Sequence, residues 1–168
     1  MGAVLRSCAG DPGRAASQVA ACQRGVVNTE QLQLLGVGRH VIVHRLRHGL
    51  LQRIFRGVFV WGHPVPPAGA LEVAGLLMCR RRGILGLESA GALWTFVPAP
   101  REVTVLIRSA GMRSRTGLAI RRTTTLRADE VMTCNGLPVT SPLRTLLDLA
   151  ASGYRWLDRA ASSAHLRV

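Results

Sequence analysis

The sequence predicts an α+β chain built as two modules, and three observations carry that prediction. Apolar residues recur at helical spacing through the first third, then alternate over two short runs on either side of Arg56-Gly57. A proline-rich stretch, Gly62-His63-Pro64-Val65-Pro66-Pro67, interrupts the pattern and marks a module boundary. Beyond it, strand-like runs are interleaved with small-residue helices, the signature of a small mixed α/β domain. The expected division is a disordered tail at 1–13, a first module at 14–62, a linker at 63–67 and a second domain at 68–168.

Composition sets the bounds. At 168 residues and 48% apolar, the chain can bury a core or two small ones. Its 22 basic residues against 9 acidic leave a net charge of +13, which favours polyanionic partners, nucleic acid foremost. All of the basic residues are arginine, a bias that a GC-rich genome explains in part. Cys8, Cys22, Cys79 and Cys134 are widely spaced and form no C-x-x-C pair, so reduced thiols are expected rather than a disulfide framework. The N-terminus lacks the apolar run of a signal peptide, and the run near Ala68–Cys79 is too short to span a bilayer. The expectation is a cytoplasmic bacterial protein without a membrane partner.

In the first module, Arg14 onward gives a helix of about three turns, with Val19 and Cys22 inward and Gly25 as its stop. Val26-Val27 is an extended link. Thr29 has the chemistry of an N-cap with Glu30 in the first turn, and Leu32, Leu34 and Leu35 form the core face of a second helix. Gly36-Val37-Gly38 then supplies the freedom a helix-turn-helix corner needs.

The third helix, Arg39 to His48, carries the chemistry. At about 100° per residue, Ile42, Leu46 and Leu50, with Val43, fall on one arc. His40, His44, Arg45, Arg47 and His48, with Val41, fall on the other. Taken alone, such a helix reads equally well as a solvated surface helix. Its context decides: Gly49 ends it, Leu51–Phe55 alternates as a strand, Arg56-Gly57 turns, and Val58–Trp61 returns. Two helices about a glycine corner followed by a hairpin make an N-terminal winged helix-turn-helix, a module that lays one helix in the DNA major groove. From Arg39 to Arg56 there are five arginines, three histidines and no acid. The expected DNA-binding residues are therefore His40, His44, Arg45, Arg47 and His48 at base edges, with Arg39, Arg53 and Arg56 on phosphates.

His40, His44 and His48 stand one turn apart, which raises the question of a metal. No cysteine or carboxylate lies nearby to complete a tetrahedron, so neither metal nor cofactor is expected. An enzyme is not expected either. The nine acids are scattered, there is no lysine, and Asp129-Glu130, the only adjacent acidic pair, suits a solvated turn.

In the second domain, an apolar helix spans Ala68–Cys79 and ends in Arg80-Arg81-Arg82, basic residues that suit a helix C-terminus. Ile84-Leu85-Gly86 is a short strand and Ser89–Phe96 a helix. Glu102–Arg108 and Leu118–Thr123 are partner strands around a loop that holds Arg113 and Arg115. Val131–Cys134 is a strand and Asn135-Gly136 a turn. Ser141-Pro142 opens a helix through Leu149, and Tyr154–His165 is a further helix.

Four segments, GVVNTEQLQLLGVGRHVIVHRL, LQRIFRGVFVWGHP, SAGALW and GLPVTSPLRTLLDLA, resemble the AbiEi family of antitoxins from type IV toxin–antitoxin systems. The resemblance covers roughly residues 14–150. It implies a winged helix that binds the operon's own promoter as double-stranded DNA and a second domain involved in antitoxin activity. It also implies a cognate nucleotidyltransferase-like toxin encoded alongside. Three departures stand out. Gly86-Leu87 replaces a Ser-His pair common in relatives, Val43 and His44 stand where arginine is common, and a C-terminal nuclease-like domain of longer relatives is missing. The expected role is an autorepressing DNA-binding regulator of the antitoxin type. The alternatives are a toxin-neutralising interaction module, or a shortened remnant of a nuclease-like protein without DNA specificity.

Overall fold

The computed structural model describes residues 11–62, 65–80, 82–108 and 111–153. Residues 1–10 of the tail expected at 1–13, residues 63 and 64 of the linker, and the helix expected at Tyr154–His165 lie outside the described residues; Pro12 and Gly13 of that expected tail are helical. The architecture is α+β, and contacts divide it into two compact units, residues 1–81 and 82–168.

The first unit runs α1 (Pro12–Cys22), β1 (Val26–Asn28), α2 (Thr29–Leu34), α3 (Arg39–Arg47), β2 (Leu51–Phe55), β3 (Val58–Trp61) and α4 (Ala70–Met78). Helix α1 begins at Pro12, two residues before the sequence reading starts it. The Asp11 carboxylate accepts from the Gly13 amide, and proline in the first turn needs no donor. Its buried apolar residues are Ala15, Ala16 and Ala20, Val19 packs against the same core as expected, and Cys22 is exposed.

Val26 and Val27, read as a link, form an edge strand. β1 pairs antiparallel with β3, which pairs antiparallel with β2, giving the order β1-β3-β2. The N-cap of α2 is Asn28 rather than Thr29. Asn28 Oδ1 accepts from the Gln31 amide while the Gln31 side chain accepts from the Asn28 amide. The Gln31 side-chain Nε2 donates to Gln23 Oε1 at 2.9 Å, a buried bond that links the end of α1 to α2. Leu34, expected in the core, is 73% exposed.

Helix α2 ends in a Schellman arrangement. Gly36 takes φ +80°, its amide donates to the Gln33 carbonyl, and the Val37 amide donates to the Leu32 carbonyl. Val37 and Leu32 are both buried in one cluster with Ala16, Ala20, Val27, Ile42, Leu51, Phe59 and Trp61. Every element from α1 to β3 therefore contributes to a single core. Helix α4, which the sequence reading assigns to the second domain, groups with the first unit. Its Ala70, Val73, Ala74, Leu76 and Leu77 are buried, and it packs against β1, β2 and β3.

The second unit holds β4 (Ile84–Leu85), α5 (Leu87–Leu93), β5 (Val103–Ile107), β6 (Leu118–Arg122), β7 (Val131–Cys134), β8 (Leu137–Thr140) and α6 (Pro142–Ala151). Its sheet has the order β6-β5-β4-β8-β7. β5 and β6 are partners, as the sequence reading has it, and run parallel. β7 and β8 form a hairpin whose turn is Asn135 (φ +51°) and Gly136 (φ +79°), the left-handed pair that Asn-Gly adopts readily. α5 and α6 pack on each other, closely enough that a Cβ on Gly91 would sit 2.8 Å from Val97 Cγ2 and 3.1 Å from Leu149 Cδ1.

Helix α6 carries Ser141 as its N-cap and Pro142 in the first turn. Arg144 ties it to the sheet: Nη1 meets Glu130 at 2.9 Å and Nε meets Asp148 at 2.8 Å, with all three groups half-buried. Asp129-Glu130 lies on a 3₁₀ turn, where Asp129 is exposed beside Arg127 and Glu130 is drawn into this ion pair. The Glu130 carboxyl is held below the usual glutamate range. The chief cause is the bond it accepts from the Arg127 amide (2.7 Å), and Arg144 adds to it. A lowered folded pKa contributes stability that is present above the unfolded value and lost as pH falls through the folded one. Glu130→Gln should therefore flatten the fall of stability below about pH 4.5, measured by denaturant melts from pH 7 to 3. A variant curve parallel to the wild type would show that the pair contributes nothing.

Candidate nucleic-acid interface

Helix α3 is set by its two ends and by one tryptophan. Gly38 is the N-cap without a side-chain bond, and the His40 ring folds back to within 3.0 Å of where a Gly38 Cβ would stand. At the other end Gly49 takes φ +70° and the Leu50 amide donates to the Arg45 carbonyl, which closes the helix at His48. Leu50 thus lies past the helix and is 48% exposed. Its expected place on the core arc does not hold, because the helical projection stops at Gly49.

With Leu50 removed, the inward arc turns. Ile42 is buried, and Val41 and Leu46 pack against the core cluster. Arg45 sits between them on the same arc: its guanidinium carbon lies 4.4 Å from the centroid of the buried Trp61 ring, a cation–π contact. Trp61 is fixed in turn by α1, since its indole Nε1 donates to Ser17 Oγ at 2.8 Å and Ser17 Oγ donates to the Gly13 carbonyl. Arg45 is half-buried and faces α1 and Trp61 instead of the outward arc. Val43 and Val41 exchange places relative to the sequence reading: Val43 is 39% exposed and Val41 is inside.

The outward arc is Arg39, His40, Val43, His44, Arg47 and His48, which together line a shallow depression. All six are exposed. The His44 and His48 rings lie 4.3 Å apart, centroid to centroid, and inclined at 43°. Among the described residues, no cluster of three His, Cys, Asp or Glu side chains has the arrangement of a metal site.

Arg53 and Arg56 are exposed on the β2–β3 hairpin, Arg53 mid-strand opposite Phe59 and Arg56 at the turn, where Gly57 takes φ +78°. A bulge lies between Arg53 and Phe55. Thr29, displaced from the cap role, holds this turn: its amide and hydroxyl both donate to the Gly57 carbonyl, at 2.9 and 3.2 Å. Seven of the eight expected residues are therefore exposed on α3 and the hairpin, and Arg45 is not among them. Val43 joins them. Nothing in the local pattern of α3 separates Val43 from Val41, but Gly49 ends the helix and so leaves Leu50 off its apolar arc.

Because Arg45 lies against Trp61, Arg45→Met should lower thermal stability by about 1 kcal/mol, while Arg47→Met should change it by less than about 0.5 kcal/mol. Paired denaturation curves measure both. Equal losses would mean that Arg45 has no packing role.

Residues 86–167 match the model of the AbiEi antitoxin C-terminal domain. Among curated proteins, none matches the sequence. The crystal structure of the RV2827C protein from Mycobacterium tuberculosis has a similar fold, with a TM-score of 0.55 at 18% identity. It covers 82% of this chain and 59% of that one, so this chain spans under two thirds of that protein's length. No described helix is long and apolar enough to cross a membrane. The motifs SAGALW and GLPVTSPLRTLLDLA fall together in one folded unit, and both lie inside the matched segment. That segment carries the likeness to the AbiEi antitoxin family.

Proposed function

We propose that the first unit is a winged helix-turn-helix that binds double-stranded DNA upstream of its own gene, and that the chain is an autorepressing regulator of the antitoxin type. The observation that carries this reading is the outward arc of α3. It offers two arginines and three histidines with no acid from Arg39 to Arg56, and two further exposed arginines stand on the adjacent hairpin. The element order supports it: α2, a glycine corner, α3 and a hairpin over one core is how a winged helix presents its recognition helix. Arginine and histidine donors on an exposed helix suit guanine edges and phosphates.

The test is an anisotropy titration on the upstream DNA at two salt concentrations with unrelated DNA as competitor. Specific binding should weaken steeply with salt. Arg39→Ala with Arg47→Ala should weaken it on the order of a hundredfold, since a bidentate base contact from Arg47 is worth about 1–3 kcal/mol and a phosphate contact from Arg39 adds to it. Equal weak binding to both DNAs, unchanged in the variant, would overturn the reading.

A second reading is favoured by α6. Leu143, Leu146 and Leu147 are 70, 46 and 58% exposed on an arc that carries no charge, bounded by the Arg144–Asp148 pair. Such a face suits a protein partner, and an adjacent nucleotidyltransferase-like toxin is the partner this reading names. Growth rescue on co-expression with the neighbouring gene separates the two. Under the regulator reading, rescue through repression is lost with Arg39→Ala and Arg47→Ala. Rescue that survives those changes but fails with Leu143→Ser and Leu147→Ser assigns neutralisation to α6.

A further inference from the structure

We infer that Val43 reads the C5-methyl group of a pyrimidine in the DNA major groove. The inference rests on the DNA-binding reading above and adds to it a residue that selects sequence. Val43 has no packing reason for its place: the core arc of α3 is filled by Val41, Ile42, Arg45 and Leu46, and Val43 is 39% exposed on the opposite side. Helix propensity does not explain it, since a β-branched residue is a weaker helix former than the alanine or glutamine an exposed position accommodates. Its neighbours are all donors. Arg39 stands one turn before it, Arg47 one turn after, and His40 and His44 beside it, and the six outward residues form one depression with the valine methyls in its wall.

A face made only of cations and imidazoles recognises phosphates and the acceptors of purines. One apolar side chain in its middle cannot improve those contacts. It matches instead the one apolar feature of the major groove, the methyl on C5 of thymine, which 5-methylcytosine presents at the same place. Flanking arginines can anchor the helix to guanines or phosphates on either side, which would hold Val43 at a fixed base step.

The test uses the full chain and the upstream DNA segment it protects. Each thymine in that segment is replaced in turn by deoxyuridine, which removes only the methyl. At one or two positions the change should weaken wild-type binding about three- to five-fold, and Val43→Ala should bind both DNAs alike. Val43→Thr, which keeps the shape and loses one methyl, should show an intermediate loss. At a sensitive position, 5-methylcytosine paired with guanine is then compared with cytosine paired with guanine. A gain from methylation assigns recognition to the methyl itself, and no gain assigns it to thymine as a whole. No sensitive position, or one equally sensitive in Val43→Ala, would overturn the inference while leaving DNA binding intact. Absence of specific DNA binding would overturn the earlier reading, and this one with it.

Discussion

The indole of Trp61 decides which side of α3 meets solvent. It is the last residue of β3, its N–H is tied to Ser17 on α1, and its ring is the surface on which Arg45 lies. Once that guanidinium is placed inward, helical geometry sends Arg39, His40, Val43, His44, Arg47 and His48 outward as a group. An arginine near the core is tolerated because its flat cation lies over the ring face, 4.4 Å from the centroid. Two elements far apart in sequence thus set the composition of a surface to which Trp61 itself does not belong.

The same residues show how far a sequence can be read. The helices, the glycine corner and the Arg56-Gly57 hairpin are legible because glycine and capping side chains act locally, within a turn of where they stand. The rotation of α3 was not legible, because it depends on the cation–π contact between Arg45 and Trp61 and on the helix ending at Gly49. Counting Leu50 as helical shifts the apparent apolar arc and exchanges Val41 with Val43. Likewise Asn28 and Thr29 are both good caps by chemistry. Only the Gly57 carbonyl, distant in sequence, shows which role Thr29 takes. β8 is not legible in the sequence, since Pro138 within it argues against a central strand, yet Val139 is fully buried beside Leu85.

In the second unit, the residues of the family motifs are accounted for by folding. Ser89 is buried and its hydroxyl accepts from the Thr104 amide, and the Trp94 indole donates to the Thr140 carbonyl. Thr140 and Thr145 share a buried hydroxyl pair at 2.7 Å, Ser141 caps α6, and Arg144 joins Glu130 and Asp148. Gly91 permits the close approach of α5 to Val97 and Leu149. These positions hold two helices to a mixed sheet. Among the described residues, the exposed features of this unit include the leucine arc of α6 and the arginines of β6 and its preceding loop.

The pair of bonds from Thr29 to the Gly57 carbonyl has a consequence for how binding energy is spent. The hairpin tip and the helix pair are joined at a point far from either end of the hairpin, so they form a single caliper. The distance between Arg56 and the start of α2 is set when the chain folds. A ligand that spans both need not restrain the hairpin on arrival, and the ordering entropy that a free loop would charge against affinity has already been met. Under the DNA-binding reading proposed above, such a surface would discriminate by the spacing of its partner's charges as much as by their number.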